Sequence, residues 1–103
     1  MKPDAEYLFG LLTAFQNAPN GTADITELGQ AGYSIEDPKF EFHMLYLYDE
    51  GLINSDSGMF LDTSADGAKM WSDIPIRLTA PGHALIEQIS SPHEAVAKIG
   101  FEY

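Results

Sequence analysis

Leu8, Leu11, Leu12 and Phe15 recur at three- and four-residue steps, which places them on one face of a helix. Pro3 and Asp4 suit the start of that helix, and Asn17, Pro19, Asn20 and Gly21 suit its end. Gly10 falls inside it and weakens it by about 1 kcal/mol relative to alanine. The next stretch, ADITELGQAGYS, is shorter and ambiguous. Asp24 or Thr22 suits the cap of a helix over Ile25 and Leu28 that ends at Gly29 or Gly32, and the same residues also fit a short strand. The helix is the preferred reading.

The pattern is most informative in DPKFEFHMLYLYDEGLI, residues 37–53. Asp37 is a good N-cap and Pro38 a good first helical residue. Phe40, Met44, Leu47 and Tyr48 share one face of the predicted helix. Phe42, Leu45 and Tyr46 share another, with Asp49 at the next turn. A helix apolar on two sides is either sandwiched in a core or presents one side to a partner.

Helical periodicity disappears between residues 52 and 78. Candidate strands are 53–55 or 59–61, followed by 70–78, with turn chemistry at Asp56, Ser57 and Gly58 and again from Ser64 to Gly67. Pro75 confines the later strand to an edge or a bulge. RLTAPGHALIEQI then begins another helix, with Thr79 as N-cap and Leu85, Ile86 and Ile89 facing inward. SPHEAVAKI begins a last one, in which Ser91 and Glu94 form an S-x-x-E capping box with Pro92 in the first turn. The order is helix, short helix, helix, two-stranded hairpin, helix, helix. It predicts an α+β fold: one small winged helix-turn-helix-like domain over residues 1–103, with a two-stranded wing and extra C-terminal helices.

Two stretches carry a family resemblance. His43, Met44, Leu47, Gly51, Leu52 and Ile53 resemble the H-L-x-x-L-x-x-x-G-L-I run that ends recognition helices in winged-helix repressors. Arg77, Leu78, Thr79, Gly82 and His83 resemble the R-L-T-x-x-G-H signature that follows the wing. Together, and with the opening MKPD, they resemble a family of short bacterial and phage proteins with a winged-helix-like fold and no defined activity. The specific motifs lie in residues 34–53 and 77–90. The resemblance implies phage or mobile-element origin; it implies no chemistry.

Charge changes the picture. Five Lys+Arg face sixteen Asp+Glu, a formal net charge of −11. DNA would meet long-range repulsion unless Lys39, His43, Lys69 and Arg77 converged around helix and wing. DNA-reading winged helices carry basic or amide side chains on the exposed face of the recognition helix, because phosphate contacts dominate affinity and bidentate donors read bases. Here that face offers Phe42, Leu45, Tyr46 and Asp49. Arg77, the only arginine, suits a carboxylate pair beside the wing better than a DNA contact.

Other chemistry is sparse. The chain has no cysteine, which excludes disulfides and thiolate sites. The start lacks a basic n-region and a cleavage site, and no segment approaches the roughly 20 apolar residues of a membrane span, so a cytoplasmic protein without membrane association is expected. Asp62, Ser64, Asp66, Gly67 and Asp73 match a calcium-loop pattern, but Lys69 occupies an apolar position of that pattern and strands flank it. A polar wing tip is the better reading. His43, His83 and His93 lack zinc spacing, and no nucleophile elbow or phosphate loop occurs. No metal, cofactor or enzymatic activity is expected.

The expectation is therefore a non-enzymatic interaction module. Its partner-binding residues are Phe42, Leu45, Tyr46, Asp49, Asp62 and Asp66, facing a basic surface on a host protein rather than nucleic acid. An acidic inhibitor of a host nucleic-acid-binding or defence protein, acting as a mimic of DNA charge, is its concrete form. A DNA-binding regulator and an oligomerising module, the latter a homodimer through Phe42, Leu45 and Tyr46, are the alternatives.

Overall fold

The computed structural model describes residues 2–88. The element order is α1 (Ala5–Gln16), β1 (Thr22–Ala23), α2 (Ile25–Gln30), α3 (Pro38–Asp49), β2 (Ile53–Asn54), β3 (Leu61–Thr63), β4 (Lys69–Trp71), β5 (Ile76–Leu78) and α4 (Ala80–Gln88). The described residues thus form an α+β domain of four helices and antiparallel strands. The expected last helix, from SPHEAVAKI, and Ile89 lie outside them.

Each helix starts where its cap chemistry dictates. The Asp4 carboxylate accepts from the backbone N–H groups of Glu6 and Tyr7 at the head of α1. Asp24 and Glu27 form a reciprocal capping box at α2. This resolves the ambiguity of residues 22–30: Thr22 and Ala23 are a strand, and the helix begins directly after Asp24. Asp37 caps α3, with Pro38 at its first position.

Helices α2 and α3 also end alike. Gly32 and Gly51 adopt positive φ, 101° and 72°. The N–H after each, from Tyr33 and Leu52, then donates back to the carbonyls of Leu28 and Leu47, both at 2.9 Å. These are Schellman closures, and they turn Tyr33 and Leu52 inward.

Strand β5 lies at the centre of a three-stranded sheet in the order β1–β5–β2, with Ala23 opposite Ile76 and Ile53 opposite Leu78. A separate hairpin, β3–β4, pairs Leu61 with Trp71 and Thr63 with Lys69. The two-stranded expectation is therefore corrected to two paired units, one inserted into the other. The predicted strand over 70–78 breaks at Ser72–Pro75. The Ile74 N–H turns back to the Ser72 carbonyl at 3.0 Å, and Pro75 has no N–H to offer a ladder.

The core gathers Leu8, Leu11, Leu12 and Phe15 from α1, Leu28 from α2, Phe40, Met44 and Leu47 from α3, Ile76 and Leu78 from β5, and Phe60. Aromatic rings then fix the hairpin to α3. Trp71 lies 5.1 Å from Phe40 and stacks at 6.0 Å on Phe60, and Phe60 meets Tyr48 edge-on at 5.8 Å.

The two stretches that carried the resemblance form one joint. The Thr79 N–H donates to the Leu52 carbonyl at 3.0 Å, and the Thr79 hydroxyl donates to the Gly51 carbonyl at 2.5 Å. The same hydroxyl oxygen accepts from the Gly82 N–H at 3.1 Å and so caps α4. A Cβ on Gly82 would collide with the Leu52 carbonyl oxygen. Gly82 is therefore required for α4 to lie against the corner that follows α3.

Gly10 differs in kind. A Cβ there would meet the Tyr33 hydroxyl, the far end of a side chain that can swing away. Gly82→Ala, facing backbone, is expected to lose about 2 kcal/mol, near 10 °C in Tm. Gly10→Ala gains helix propensity, and its net loss is expected to be about 1 kcal/mol or less. Tyr33→Phe in that background should recover part of it. Thermal denaturation of the single and double variants checks the order; Gly82→Ala no worse than Gly10→Ala would contradict it.

Candidate functional site

The rotation of α3 about its axis separates two faces. Phe40, His43, Met44 and Leu47 are buried. On the opposite side Phe42, Leu45 and Tyr46 are half-buried and Asp49 is exposed. These four line an open groove of about 380 Å³ together with Pro38 and Glu41. Four of the six expected partner-binding residues are thus brought together. Leu45 also packs partly against the core, so it forms the groove's floor more than its rim.

Asp62 and Asp66 do not line the groove. Asp62 is exposed on β3 opposite Met70, and Asp66 sits in the β3–β4 turn. There the Asp66 carboxylate accepts from the Ser64 hydroxyl and, at 3.2 Å, from the Ala68 N–H. These hydrogen bonds hold its pKa below the usual aspartate value, the Ser64 contact foremost. Asp66 shapes the turn. Asp73, the last residue of the calcium-like pattern, is drawn elsewhere: it accepts from the Thr26 hydroxyl at 2.7 Å on α2. The Ser64, Asp66 and Asp73 oxygens of the pattern are thereby committed to a turn and to a helix, and among the described residues no cluster of His, Asp or Glu is arranged to hold a metal ion.

Pro38 and Glu41 were missed as groove members. Their signal was in the sequence, since Pro38, Glu41, Leu45 and Asp49 recur at three- and four-residue steps. Glu41 and Asp49 take part in no ion pair among the described residues.

Among the described residues no lysine or arginine lines this groove. Lys39, the only lysine or arginine in α3, is paired with Asp4 at 3.3 Å. Arg77 is paired with Asp56 at 3.4 Å, the carboxylate partner expected for it beside the hairpin. Both pairs are solvent-exposed, and each contributes at most about 1 kcal/mol.

His43 is not on the outer face at all. It is completely buried, with its ring 4.7 Å from Tyr7 and 5.1 Å from Phe42. Its Nε2 accepts the Asp4 backbone N–H at 2.8 Å, so the proton resides on Nδ1, which donates to the Lys39 carbonyl at 2.6 Å. Only the neutral ring makes both bonds. His43 thus ties the head of α1 to the first turn of α3 and backs Phe42 from behind. Tyr7, beside it, has a buried hydroxyl with no hydrogen-bond partner among the described residues. Desolvation, then the Asp37 and Tyr33 charges, push its pKa up to about 12.

No family model, curated protein or solved structure matches the chain. Among the described residues no helix is long and apolar enough to cross a membrane.

Burial lowers the His43 pKa below its ordinary value of 6.5, against the opposing pull of the Lys39 carbonyl and the Asp4 charge. The unfolded chain therefore binds this proton first as pH falls. The His43 contribution to stability is complete above about pH 6.5 and drains away below it, toward the lower folded-state pKa. Tm measured between about pH 7.5 and pH 5 should fall more steeply for the native chain than for His43→Gln. Carboxylate repulsion relaxes equally in both, so parallel profiles would refute the neutral-tautomer assignment.

Proposed function

We propose that this domain is a winged helix-turn-helix scaffold that works as a non-enzymatic protein-interaction module and grips a basic protein surface with the outer face of α3. The scaffold assignment is supported by the element order and by the β1–β5–β2 sheet. It is also supported by the placement of α2 and α3 as consecutive helices joined by residues 31–37. The G-L-I and R-L-T-x-x-G segments meet in one joint, which gives the resemblance to short phage and bacterial winged-helix proteins a physical basis.

The function rests on one observation. Where a nucleic-acid reader would carry donors, α3 presents Phe42, Leu45 and Tyr46 rimmed by Glu41 and Asp49, and its lone lysine is held by Asp4. Each missing phosphate contact is a missing counterion release, and a net charge of −11 adds repulsion at every distance inside the screening length. A positively charged protein surface meets the opposite field and is steered inward. A cytoplasmic protein that occupies the nucleic-acid site of a host protein, through its carboxylates, is the form this takes.

Two measurements test it together. Duplex DNA in a gel-shift series down to low salt should show no retardation. Capture from bacterial lysate on the immobilised protein should recover a basic nucleic-acid-binding protein that salt releases and that Phe42→Ala fails to hold. Salt-sensitive retardation of duplex DNA would overturn the proposal.

A further inference from the structure

The groove on α3 has a geometry that specifies more than a generally basic partner. Its two carboxylates, Glu41 and Asp49, are eight residues apart, which is about 12 Å along a helix. Phe42, Leu45 and Tyr46 lie between them. The order along the axis is acid, apolar patch, acid. Both carboxylates are free of ion pairs among the described residues, and no cation lines the groove.

From this we infer that the groove is a docking site for a short basic segment of a partner protein. That segment carries one bulky apolar side chain between two lysine or arginine residues whose charges are about 12 Å apart. The inference rests on the protein-binding function proposed above and narrows it. An extended segment rises roughly 3.3 Å per residue and alternates its side chains, so residues i, i+2 and i+4 share one face and span about 13 Å. A cation-x-apolar-x-cation pattern therefore places its first cation at Glu41, its apolar side chain over Phe42, Leu45 and Tyr46, and its second cation at Asp49.

A second copy of this chain is a poorer occupant. Two copies of the groove would bring Glu41 and Asp49 of each against the same acids of the other, within molecules that each carry a net charge of −11. A wholly apolar helix would leave both carboxylates facing uncharged surface. The basic segment with an apolar centre satisfies the patch and its two ends at once.

The test uses the full chain and a synthetic peptide of sequence pattern Lys-Ala-Phe-Ala-Lys with neutral, capped ends, followed by NMR. The expected result is a saturable shift of the Phe42, Leu45 and Tyr46 signals. Replacing the peptide's phenylalanine with alanine should weaken binding about tenfold or more. Glu41→Gln and Asp49→Asn should each weaken it about threefold, whereas Glu6→Gln and Glu87→Gln, exposed carboxylates on α1 and α4, should leave it unchanged.

Three results would overturn the groove assignment. They are equal binding of the alanine peptide, equal weakening by the α1 and α4 variants, and concentration-dependent self-association that shifts the same three residues without peptide. In the first two cases an acidic protein-binding function survives and only the docking site is lost. Retardation of duplex DNA, by contrast, removes the function beneath it.

Discussion

The rotation of α3 about its own axis is the constraint on which the rest depends. A helix with apolar residues on two sides has two ways to enter a core, and the wrong one would bury Phe42, Leu45 and Tyr46. Contacts on both flanks of the inner face settle the choice. On one flank the Asp4 N–H and the Lys39 carbonyl hold His43. On the other, Trp71 and Phe60 hold Phe40 and Tyr48. Beyond the last turn, the Gly51 closure sends Leu52 back into the core, where its carbonyl meets Thr79 and Gly82. With these contacts in place the outer face has no freedom to turn inward. The groove is a consequence of packing elsewhere.

How much of this was legible follows from the range of the interactions involved. Caps and closures are local, and Asp4, Asp24, Asp37, Gly32 and Gly51 act within a few residues of themselves; the helices could be read from them. The burial of Leu8, Leu11, Leu12 and Phe15 followed from periodicity alone. Strand pairing could not be read this way. Strands of two and three residues carry too few alternations to reveal a face, and the partners of β5 lie 55 residues before it, as Thr22 with Arg77, and on β2. Asp73 is a sharper case: a turn-like carboxylate in sequence becomes a long-range partner of Thr26. His43 was illegible as a tether because its acceptor role is defined by a backbone N–H 39 residues away. Residues 42–49 were legible as a face because helical spacing is enough to define one. Asp62 and Asp66 were grouped with that face by charge, and charge carries no information about where a hairpin points.

The polar tie at His43 has a consequence for the face outside. A buried imidazole that accepts a backbone N–H is committed to the neutral state, because the imidazolium has no lone pair to offer. Its ring lies against Phe42, whose other neighbour is Tyr46 at 6.4 Å. The floor of the groove thus rests on a group that favours one protonation state and, through Asp4, on the first turn of α1. Substitutions at the head of α1 are expected to be felt at Phe42 through this one ring. The exposed Lys39–Asp4 pair spans the same junction but is too screened to carry that coupling.

Magnitudes decide how such a face discriminates. Fully burying one phenylalanine or leucine side chain is worth roughly 1.5–3 kcal/mol, whereas an exposed ion pair is worth about 0.2–1 kcal/mol. Two carboxylates at the ends of the groove therefore contribute less affinity than one apolar side chain seated between them. A uniformly basic surface would gain only the two ion pairs. A uniformly apolar one would gain the burial while leaving Glu41 and Asp49 unmatched. In the proposed complex charge would contribute chiefly to encounter rate and orientation, because the long-range field acts before contact and the two acids fix a direction along α3. The apolar patch would then determine how long such a partner stays. Under the proposed function such a face would disfavour nucleic acid twice: repulsion lowers the rate of arrival, and no lysine or arginine lines the groove to retain what does arrive.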